Sequence, residues 1–240
     1  APLFGKAVRE ITGGGDVKVC VVTHPRIERL YGGAAMASLK QAGFSPSLFR
    51  IPEGEQHKQL LQVERIYDHL ILHRFERSSL LVALGGGVIG DMTGFAAATF
   101  LRGISFVQCP TTVVAQVDAA IGGKTGVDHP KGKNLIGAFH QPALVFIDPT
   151  TLRTLSKREF VAGLAEIVKY GVIFDPKLFR FMEKNTEAIL NRDEKSLLYC
   201  IKQSVAIKAA IVAKDERESG LRKILNYGHT LGHAIETVTG

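Results

Sequence analysis

Residues 80–91 read Leu-Leu-Val-Ala-Leu-Gly-Gly-Gly-Val-Ile-Gly-Asp, and the small residues Ala96-Ala97-Ala98 follow them. An apolar run that leads through glycines into a helix is typical of a buried strand and a phosphate-binding turn. Glycine lets the backbone approach a pyrophosphate, and the helix N-terminus presents free N–H groups to it. The acidic residue that the standard fingerprint places about 20 positions later is absent, and Gln108-Cys109-Pro110-Thr111-Thr112 stands there. We predict a variant nucleotide site, with a purely structural tight turn as the alternative.

Further apolar runs on either side of this stretch extend the pattern to a sheet. They lie at about Val17–Thr23, Ser105–Cys109 and Leu144–Ile147, with helical stretches between several of them. This alternation predicts an α/β N-terminal domain with a parallel nucleotide-binding sheet. After Asp148-Pro149 helical spacing dominates, so we predict an α/β domain over residues 1–150 and an all-helical domain over residues 151–240.

Composition narrows the class of protein. The chain has 240 residues, of which 45% are apolar and 22% charged, as in ordinary globular proteins. Its cysteines, Cys20, Cys109 and Cys200, form no C-x-x-C pair, which argues against a disulfide framework and a cysteine zinc site. We find no apolar run of membrane-spanning length and no signal-peptide pattern, and therefore expect a soluble cytoplasmic protein without a membrane.

The net charge of +7 is spread over the chain, because Lys and Arg are interspersed with Asp and Glu. No basic arm, RNP-like strand or zinc-finger spacing accompanies it, so nucleic acid is not the expected partner. Small phosphorylated ligands are the expectation that remains.

Two helical segments after residue 150 carry charged residues in informative positions. Ser156 and Glu159 have the spacing of a capping box, and the helix continues with Phe160, Leu164, Ile167 and Val168 on one face and with Glu166 and Lys169 on a neighbouring face. Lys208 falls on an apolar stripe with Ile201, Val205 and Val212. A single such lysine commonly snorkels to solvent, but together with Arg222 it indicates a cationic pocket for phosphate or carboxylate.

A charged, glycine-rich segment lies within the predicted N-terminal domain. It runs from Asp118 to Asn134 and is also explained by a solvated loop. Gly122-Gly123-Lys124-Thr125 within it ends like a P-loop, but Asp118 stands where the motif requires its first glycine, so we reject that interpretation.

The spacing of residues 221–238 predicts a helix. Arg222, Asn226, His229 and His233 would share one stripe of it. Two histidines one turn apart suit a metal ion when further ligands are present, and a surface-facing pair is the alternative. The glutamate of H-E-x-x-H is missing, which argues against a zincin protease.

Six ordered blocks then identify a family resemblance over nearly the whole chain. They are Gly85–Asp91, Cys109-Pro-Thr-Thr112, Asp118 through Gly123-Lys124, Lys133-Asn-Leu-Ile-Gly-Ala-Phe-His140, Gly163-Leu-Ala-Glu-Ile-Val-Lys169 and Leu225-Asn-Tyr-Gly-His-Thr-Leu-Gly-His233. Together they closely resemble the 3-dehydroquinate synthase family of sugar-phosphate cyclases. The resemblance implies an NAD-binding α/β domain, a helical metal-binding domain and a substrate cleft between them.

Residue roles follow from the resemblance by position. It implies NAD contacts at Glu53, Gly54, Glu55, Lys58, Gly86, Gly87, Val88, Ile89, Gly90, Asp91, Thr111, Thr112, Lys124, Lys133, Thr151, Leu152, Arg153 and Thr154. It implies that Glu166 and His229 bind a divalent zinc or cobalt ion. The implied substrate-binding and catalytic residues are Arg102, Asp118, Lys124, Asn134, Lys169, Lys208, Arg222, Asn226 and His233.

The resemblance also implies a reaction. Family members convert 3-deoxy-D-arabino-heptulosonate 7-phosphate, a small phosphorylated sugar acid, into 3-dehydroquinate and phosphate by transient NAD oxidation, phosphate elimination, re-reduction and aldol closure. We expect a homodimer in the cytoplasm, or in the plastid if the source is a plant. The family's third metal ligand would lie beyond Gly240, so we expect the chain to lack a C-terminal part.

Three other functions stay open at this point. A deoxy-inosose or valiolone cyclase would use the same chemical steps on another substrate. A metal-dependent polyol dehydrogenase would share the architecture, although the Lys133-Asn134 and Gly228–His233 blocks argue against it. An inactive NAD-binding fragment is the third alternative.

Overall fold

The apolar runs of the sequence form one parallel sheet. The structure is a computed structural model that describes residues 2–14, 16–228 and 232. Its central sheet has five parallel strands in the order β2-β1-β3-β4-β7. These are β1 (Val19–Thr23), β2 (Ser47–Arg50), β3 (Leu80–Gly85), β4 (Ser105–Pro110) and β7 (Leu144–Val145). The predicted strands are thus confirmed to within two residues at each end, and β2 is an addition.

Both faces of the sheet are buried, which explains why its strands are continuously apolar. Val19 and Val21 of β1 point into the apolar layer on one face of the sheet, and Cys20 and Val22 into the layer on the other face; we call these two layers together the sheet core. Helices cover the two faces. They are α1 (Pro2–Thr12), α2 (Pro25–Ile27), α3 (Gly33–Gln41), α4 (Leu60–Leu72) and α5 (Gly87–Thr99), with a π-helical turn at Glu28–Gly32 between α2 and α3. α5 begins directly after the glycine turn of β3, as predicted.

The charged segment before Asn134 is a hairpin and not a solvated loop. Its strands β5 (Lys124–His129) and β6 (Gly132–Phe139) pair antiparallel. The hairpin packs on α5, and a Cβ added at Gly94 of that helix would lie 2.4 Å from Cγ2 of Thr125. Main-chain pairing and this close approach, neither of which leaves an apolar pattern, explain why the sequence did not indicate the hairpin.

Helices follow from Lys157 onward among the described residues. They are α6 (Lys157–Ile173), α7 (Pro176–Lys184), α8 (Thr186–Leu190), α9 (Glu194–Lys214) and a 3-10 helix at Leu221–Asn226. Their buried side chains form a second core, which also takes in Val113, Val117 and Leu152 from the preceding part of the chain. The helical part therefore shares its core with the segment that leads into the hairpin.

The start of α6 has the predicted cap. The Ser156 hydroxyl accepts a hydrogen bond from the backbone N–H of Glu159 at 3.2 Å and donates to its carboxylate at 3.1 Å. Phe160, Leu164 and Ile167 are buried, but Val168 is 38% exposed, so its assignment to the buried face was wrong. The predicted neighbours Glu166 and Lys169 form an ion pair.

The described part of residues 221–238 does not form the continuous helix that the spacing predicts. Leu221–Asn226 is a 3-10 helix, and Tyr227 is extended. Gly228 then takes a φ of +81°, which a continuing α-helix does not allow. At the start of this 3-10 helix, the Asp215 carboxylate accepts from the backbone N–H groups of Gly220 and Arg222.

α9 is long enough and apolar enough to span a membrane by length and composition alone. A core helix of a soluble protein satisfies the same two criteria. Leu197, Cys200, Ile201 and Ile211 of α9 are buried in the second core, so its apolar side already has a packing role in the structure.

Candidate functional site

A cavity of about 370 Å³ opens at the carboxyl ends of the parallel strands. The strand order reverses direction between β1 and β3, and such a reversal leaves a crevice in which α/β proteins bind ligands. The lining residues include His24 after β1, Pro52 to Glu55 after β2, Gly86 to Ile89 after β3, Thr111 and Thr112 after β4, and Thr154.

The polar groups in this cavity are suited to a nucleotide. Gly86 precedes α5 and supplies no side-chain cap, so the helix presents N–H groups of its first turn. His24 Nδ1 and Thr111 Oγ1 are buried without a hydrogen-bond partner among the described residues, and the nearest carboxylate oxygen to His24, from Glu53, is 3.9 Å away. Burial lowers the pKa of His24, so its ring is neutral near pH 7. This cavity, which we call the nucleotide cavity, therefore fits the predicted NAD.

Ten of the predicted NAD residues line the nucleotide cavity. They are Glu53, Gly54, Glu55, Gly86, Gly87, Val88, Ile89, Thr111, Thr112 and Thr154. Others lie nearby with different neighbours. Leu152 is buried in the second core, Arg153 pairs with Glu194 at the surface, and Thr151 accepts a hydrogen bond from Gln116. Lys133 lines a surface groove beside His129, and Gly90 is buried within α5.

Lys58 and Asp91, both predicted to contact NAD, form a buried ion pair of 2.6 Å. Lys58 also donates to Asn134 Oδ1 at 2.5 Å. Burial raises the pKa of Asp91, and the nearby Lys58 opposes this effect only in part. Asp91 and Asn134 line a second cavity. The two cavities adjoin, because a Cβ added at Gly87 of the nucleotide cavity would lie 3.5 Å from Ala119 of the second one.

The second cavity, of about 610 Å³, lies between the hairpin, the segment around Asp118 and the helical part. We call it the cationic cleft. It brings together predicted substrate residues that are far apart in sequence: Asp118, Lys124, Asn134, Lys208, Arg222 and Asn226. A smaller adjoining cavity adds Lys169 to this set. Positive side chains outnumber the acidic ones, so the cleft suits an anionic ligand.

Asp118 is the anchor of the cleft. Lys208 Nζ donates to its carboxylate Oδ1 at 2.8 Å and to its backbone oxygen at 2.5 Å. The Tyr170 hydroxyl donates to the same Oδ1 at 2.7 Å. Burial opposes ionisation of Asp118, but Lys208, Lys169 and these hydrogen bonds outweigh it and keep the pKa of Asp118 below its ordinary value. Lys208 is therefore a buried binding group and not a snorkelling lysine.

Arg222 is held in the cleft by two contacts that the sequence did not indicate. Its guanidinium donates to the backbone oxygen of Glu216 at 2.5 Å, and a Cβ added at Gly122 would lie 2.4 Å from its Nη2. Gly122 has a φ of +102°, which other residues rarely adopt. Gly122 thus makes room for Arg222, and Gly123 makes room for Gln141.

Glu218 is a cleft residue that sequence reasoning missed. Its carboxylate pairs with Lys124 and accepts a hydrogen bond from Asn226 at 2.7 Å. Its φ of +57° places it in the left-handed region, which is unusual for glutamate. The sequence does place this acidic residue between Lys208 and Arg222, two predicted substrate residues, and this position could have suggested that Glu218 belongs to the cleft.

The predicted metal site is described only in part. Glu166 is ion-paired with Lys169 and supplies a carboxylate of the kind that zinc and cobalt bind. His229 and His233 lie outside the described residues. Within residues 2–14, 16–228 and 232, no three His, Cys, Asp or Glu side chains are grouped closely enough to hold a metal ion. Arg102, with a φ of +67°, is exposed and lines neither cavity.

Comparison with known proteins relates this chain to one family. The model of the 3-dehydroquinate synthase N-terminal part matches residues 48–162, and that of the C-terminal part matches residues 163–240. A 3-dehydroquinate synthase of Geobacter metallireducens is 56% identical over 100% of this chain and 66% of its own length. One of Synechococcus sp. is 59% identical over 93% of this chain and 61% of its own length.

Solved structures agree with these relatives. A 2-deoxy-scyllo-inosose synthase complexed with carbaglucose-6-phosphate, NAD+ and Co2+ is 27% identical, with a TM-score of 0.90 over 98% of this chain and 64% of that one. A 2-epi-5-epi-valiolone synthase from Streptomyces hygroscopicus with NAD+ and Zn2+ bound is 29% identical, with a TM-score of 0.86 over 92% of this chain and 62% of that one.

The alignments cover a larger share of this chain than of its relatives. This chain spans 61% to 66% of the length of the two curated relatives, whereas the relatives cover nearly all of it. The two matching models are consecutive and describe the two parts of one family. The chain belongs to the 3-dehydroquinate synthase family.

Proposed function

We propose that the protein acts as a 3-dehydroquinate synthase, which converts 3-deoxy-D-arabino-heptulosonate 7-phosphate into 3-dehydroquinate and phosphate. The observation that carries this proposal is the cationic cleft next to the nucleotide cavity, with Asp91 and Asn134 on the side where the two approach. A phosphorylated sugar acid carries negative charge at both ends, which a cleft rich in Lys and Arg would bind. Relatives at 56% and 59% identity bear this name.

The cofactors belong to the proposal. The unpartnered Thr111 and His24 atoms and the uncapped α5 support NAD in the nucleotide cavity, and Glu166 supports a divalent ion. The chemistry that NAD supplies when bound is reversible hydride transfer, and that of a zinc or cobalt ion is polarisation of a substrate hydroxyl. The site as proposed would be completed by His229.

The residues of the cleft have separate tasks in this scheme. Lys124, Lys208 and Arg222 would compensate the charge of phosphate as it leaves. The elimination breaks the carbon–oxygen bond to phosphate and forms a carbon–carbon double bond with loss of a proton, which is a carbon–oxygen lyase reaction. Asp118 would accept a hydrogen bond from a substrate hydroxyl and so orient the ring. Asn134 and Asn226 would bind further hydroxyl groups. Holding both ends of one molecule in one cleft favours closure of the carbocycle over side reactions.

The organisation of the protein is proposed on the same basis. We propose a nucleotide-binding part over residues 1–150 and an all-helical, metal- and substrate-binding part over residues 151–240. The separate apolar cores on the two sides of this boundary support it, although Val113 and Val117 pack across it. A homodimer in the cytoplasm completes the proposal.

A related cyclase reaction is the second candidate. The solved deoxy-inosose and valiolone synthases share the fold at TM-scores of 0.90 and 0.86. Their names differ in product, and the same oxidation, elimination and aldol steps serve each substrate. Substrate choice therefore separates the two candidates.

The test is an assay of phosphate release from the heptulosonate phosphate by the full-length protein that carries this chain, with NAD and zinc or cobalt added. We expect stoichiometric phosphate and 3-dehydroquinate without net NADH. Lys169→Ala should lower turnover by roughly 100-fold or more while NAD binding persists, because the loss of a buried charged group at a reacting centre is costly. Lys157→Ala, at an exposed position of the same helix, is the control.

Three results would contradict the proposal. Phosphate release from a sugar phosphate that lacks the carboxylate, but none from the heptulosonate, would indicate the second candidate. Accumulation of NADH with a polyol would indicate a dehydrogenase. Unchanged turnover in Lys169→Ala would remove Lys169 from the reaction.

A further inference from the structure

We propose that Tyr170 is a positioning residue whose buried hydroxyl holds the Asp118 carboxylate so that one oxygen stays directed at the cationic cleft. The inference rests on the proposed function, which it deepens by one residue. Tyr170 follows Lys169 in α6, has no exposed surface, and its hydroxyl reaches the cleft through Asp118 and its neighbour Val117.

The hydrogen bonds divide the two oxygens of Asp118. Tyr170 and Lys208 both donate to Oδ1, at 2.7 Å and 2.8 Å. Oδ2 is therefore the oxygen left to accept from a group in the cleft, which Asp118 lines with a quarter of its side chain exposed. With its first oxygen held from two directions, the carboxylate cannot rotate without breaking a bond to a charged group.

Only the hydroxyl distinguishes Tyr170 from an ordinary core residue. Its ring packs in the second core with Ile167, Leu197 and Leu225, where phenylalanine would fill the same space. A phenol hydroxyl buried in apolar surroundings is costly unless it has a partner. The partner here is Asp118, with the backbone oxygen of Val117 at 3.2 Å as the alternative acceptor.

Asp118 lies in an unusual stretch of backbone, which a hydrogen bond from Tyr170 would help to fix. Ala115–Ala119 forms a π-helical turn, a rare arrangement that is frequently found at functional sites. Tyr170 contacts both the carbonyl of Val117 and the side chain of Asp118 within this turn. The hydroxyl therefore secures the turn and the carboxylate together. Burial and the adjacent Asp118 raise the pKa of Tyr170, so it remains a donor at working pH.

Several charged groups face Asp118 from the elements around it. They are Lys208 from α9, Lys169 from α6, Lys124 from β5 and Arg222 from the 3-10 helix. These cations keep Asp118 ionised in Tyr170→Phe, so the variant loses orientation more than charge. A lost hydrogen bond to a charged group predicts a fall in kcat of roughly tenfold, with KM and NAD affinity changed by less than about threefold.

The experiment is a double-mutant cycle on the full-length protein with Tyr170→Phe, Asp118→Asn and the double variant. If Tyr170 acts through Asp118, the double variant should turn over as slowly as Asp118→Asn alone. Additive losses would assign Tyr170 a general structural role and overturn the proposal. Tyr199→Phe removes a hydroxyl from a residue packed against the same core, where its ring lies tilted against that of Phe181, and should leave kcat unchanged.

A second measurement does not need turnover. Carbon NMR of labelled aspartate in the apo-protein follows the Asp118 carboxyl, whose pKa should be higher in Tyr170→Phe than in the unsubstituted protein and unchanged in Tyr199→Phe. An equal Asp118 pKa in Tyr170→Phe would overturn the proposal. If the unsubstituted protein releases no phosphate, the proposed function fails, and the Asp118 titration still decides whether Tyr170 holds the carboxylate.

Discussion

Lys208 occupies a position of α9 where helical spacing requires an apolar residue, and only 6% of its side chain is exposed. An unpaired ammonium is too costly to bury, so the residue is tolerated because Asp118 pairs with it. Burial lowers the pKa of Lys208 while Asp118 raises it, and the ion pair of 2.8 Å supports the charged form.

Replacing Lys208 should therefore destabilise the fold even with an apolar residue. Lys208→Met leaves Asp118 with Tyr170 as its remaining close partner, and we expect the free energy of unfolding to fall by roughly 2–3 kcal/mol. Urea denaturation measures this loss. Lys202→Met, at an exposed position of the same helix, should change it by less than about 0.5 kcal/mol. Equal effects of the two substitutions would show that the pair does not stabilise the protein.

Glu218 pairs with Lys124, a positive group of the cleft to which an anionic ligand would also bind. Binding of a phosphate to Lys124 would require Glu218 to release it. We expect Glu218→Gln to bind inorganic phosphate roughly 3- to 10-fold more tightly in calorimetry, as the competing charge is removed. Glu216→Gln, which changes a neighbouring carboxylate bonded to Gln141, is the control. Weaker phosphate binding by Glu218→Gln would instead show that Glu218 helps to build the site.

At the scale of elements, the packing of α5 against the hairpin determines the shape of the cleft. α5 connects the nucleotide cavity, at Gly87, to the hairpin, at Gly94. Its close approach to β5 requires a glycine although glycine is a poor helix former. Gly94 thus lowers the helix propensity of α5 but allows close packing of the hairpin that carries Lys124 and Asn134.

Two glycine substitutions in helices should consequently have opposite signs. Gly94→Ala would place a Cβ 2.4 Å from Thr125 and 3.0 Å from the Phe106 ring, and we expect a loss of roughly 1–3 kcal/mol. Gly33→Ala, at an exposed position of α3 where an added Cβ meets nothing within 4 Å, should gain about 0.5–1 kcal/mol. Thermal and urea unfolding test both. Stabilisation by Gly94→Ala would show that the hairpin can move away from α5.

At the scale of the whole molecule, stability should depend on pH in two separate ranges. His69 is half-buried beside His73, their ring centroids lie 4.1 Å apart, and burial together with His73 lowers its pKa. The folded protein therefore binds the proton less readily than the unfolded chain, whose histidine pKa is about 6.5. The stabilising contribution is present above that pH and is lost as pH falls towards the folded pKa.

We expect the free energy of unfolding to decrease between about pH 7 and pH 5 by this effect. His69→Gln should flatten the decrease, and His57→Gln should not. Asp118 acts in the same direction at lower pH: its pKa is lowered in the folded protein, so its stabilising contribution is present above about pH 4 and is lost only at more acidic pH. Urea titrations at half-unit pH steps separate the two ranges. An unchanged slope in His69→Gln would exclude the histidine pair as the cause.

Features that depend on neighbouring residues could be predicted without a structure. The strands β1, β3 and β4 and the turn into α5 follow from continuous apolar runs and the glycines after one of them. The Ser156 cap and the Glu166–Lys169 pair follow from spacings of three positions, since local helix geometry sets which side chains share a face. The family resemblance allowed the cationic residues of the cleft to be predicted as well, because the chemistry of a reaction restricts the types of side chain at its centre.

Contacts between distant segments needed the folded chain. Lys208 meets Asp118 across 90 residues, Tyr170 meets it across 52, and Glu218 reaches Lys124 from another loop. The hairpin was missed because backbone pairing and a glycine that accommodates Thr125 produce no hydrophobic period. Such contacts depend on how elements pack, and the free energy that selects one packing is summed over the whole core, so no local pattern of residues encodes it.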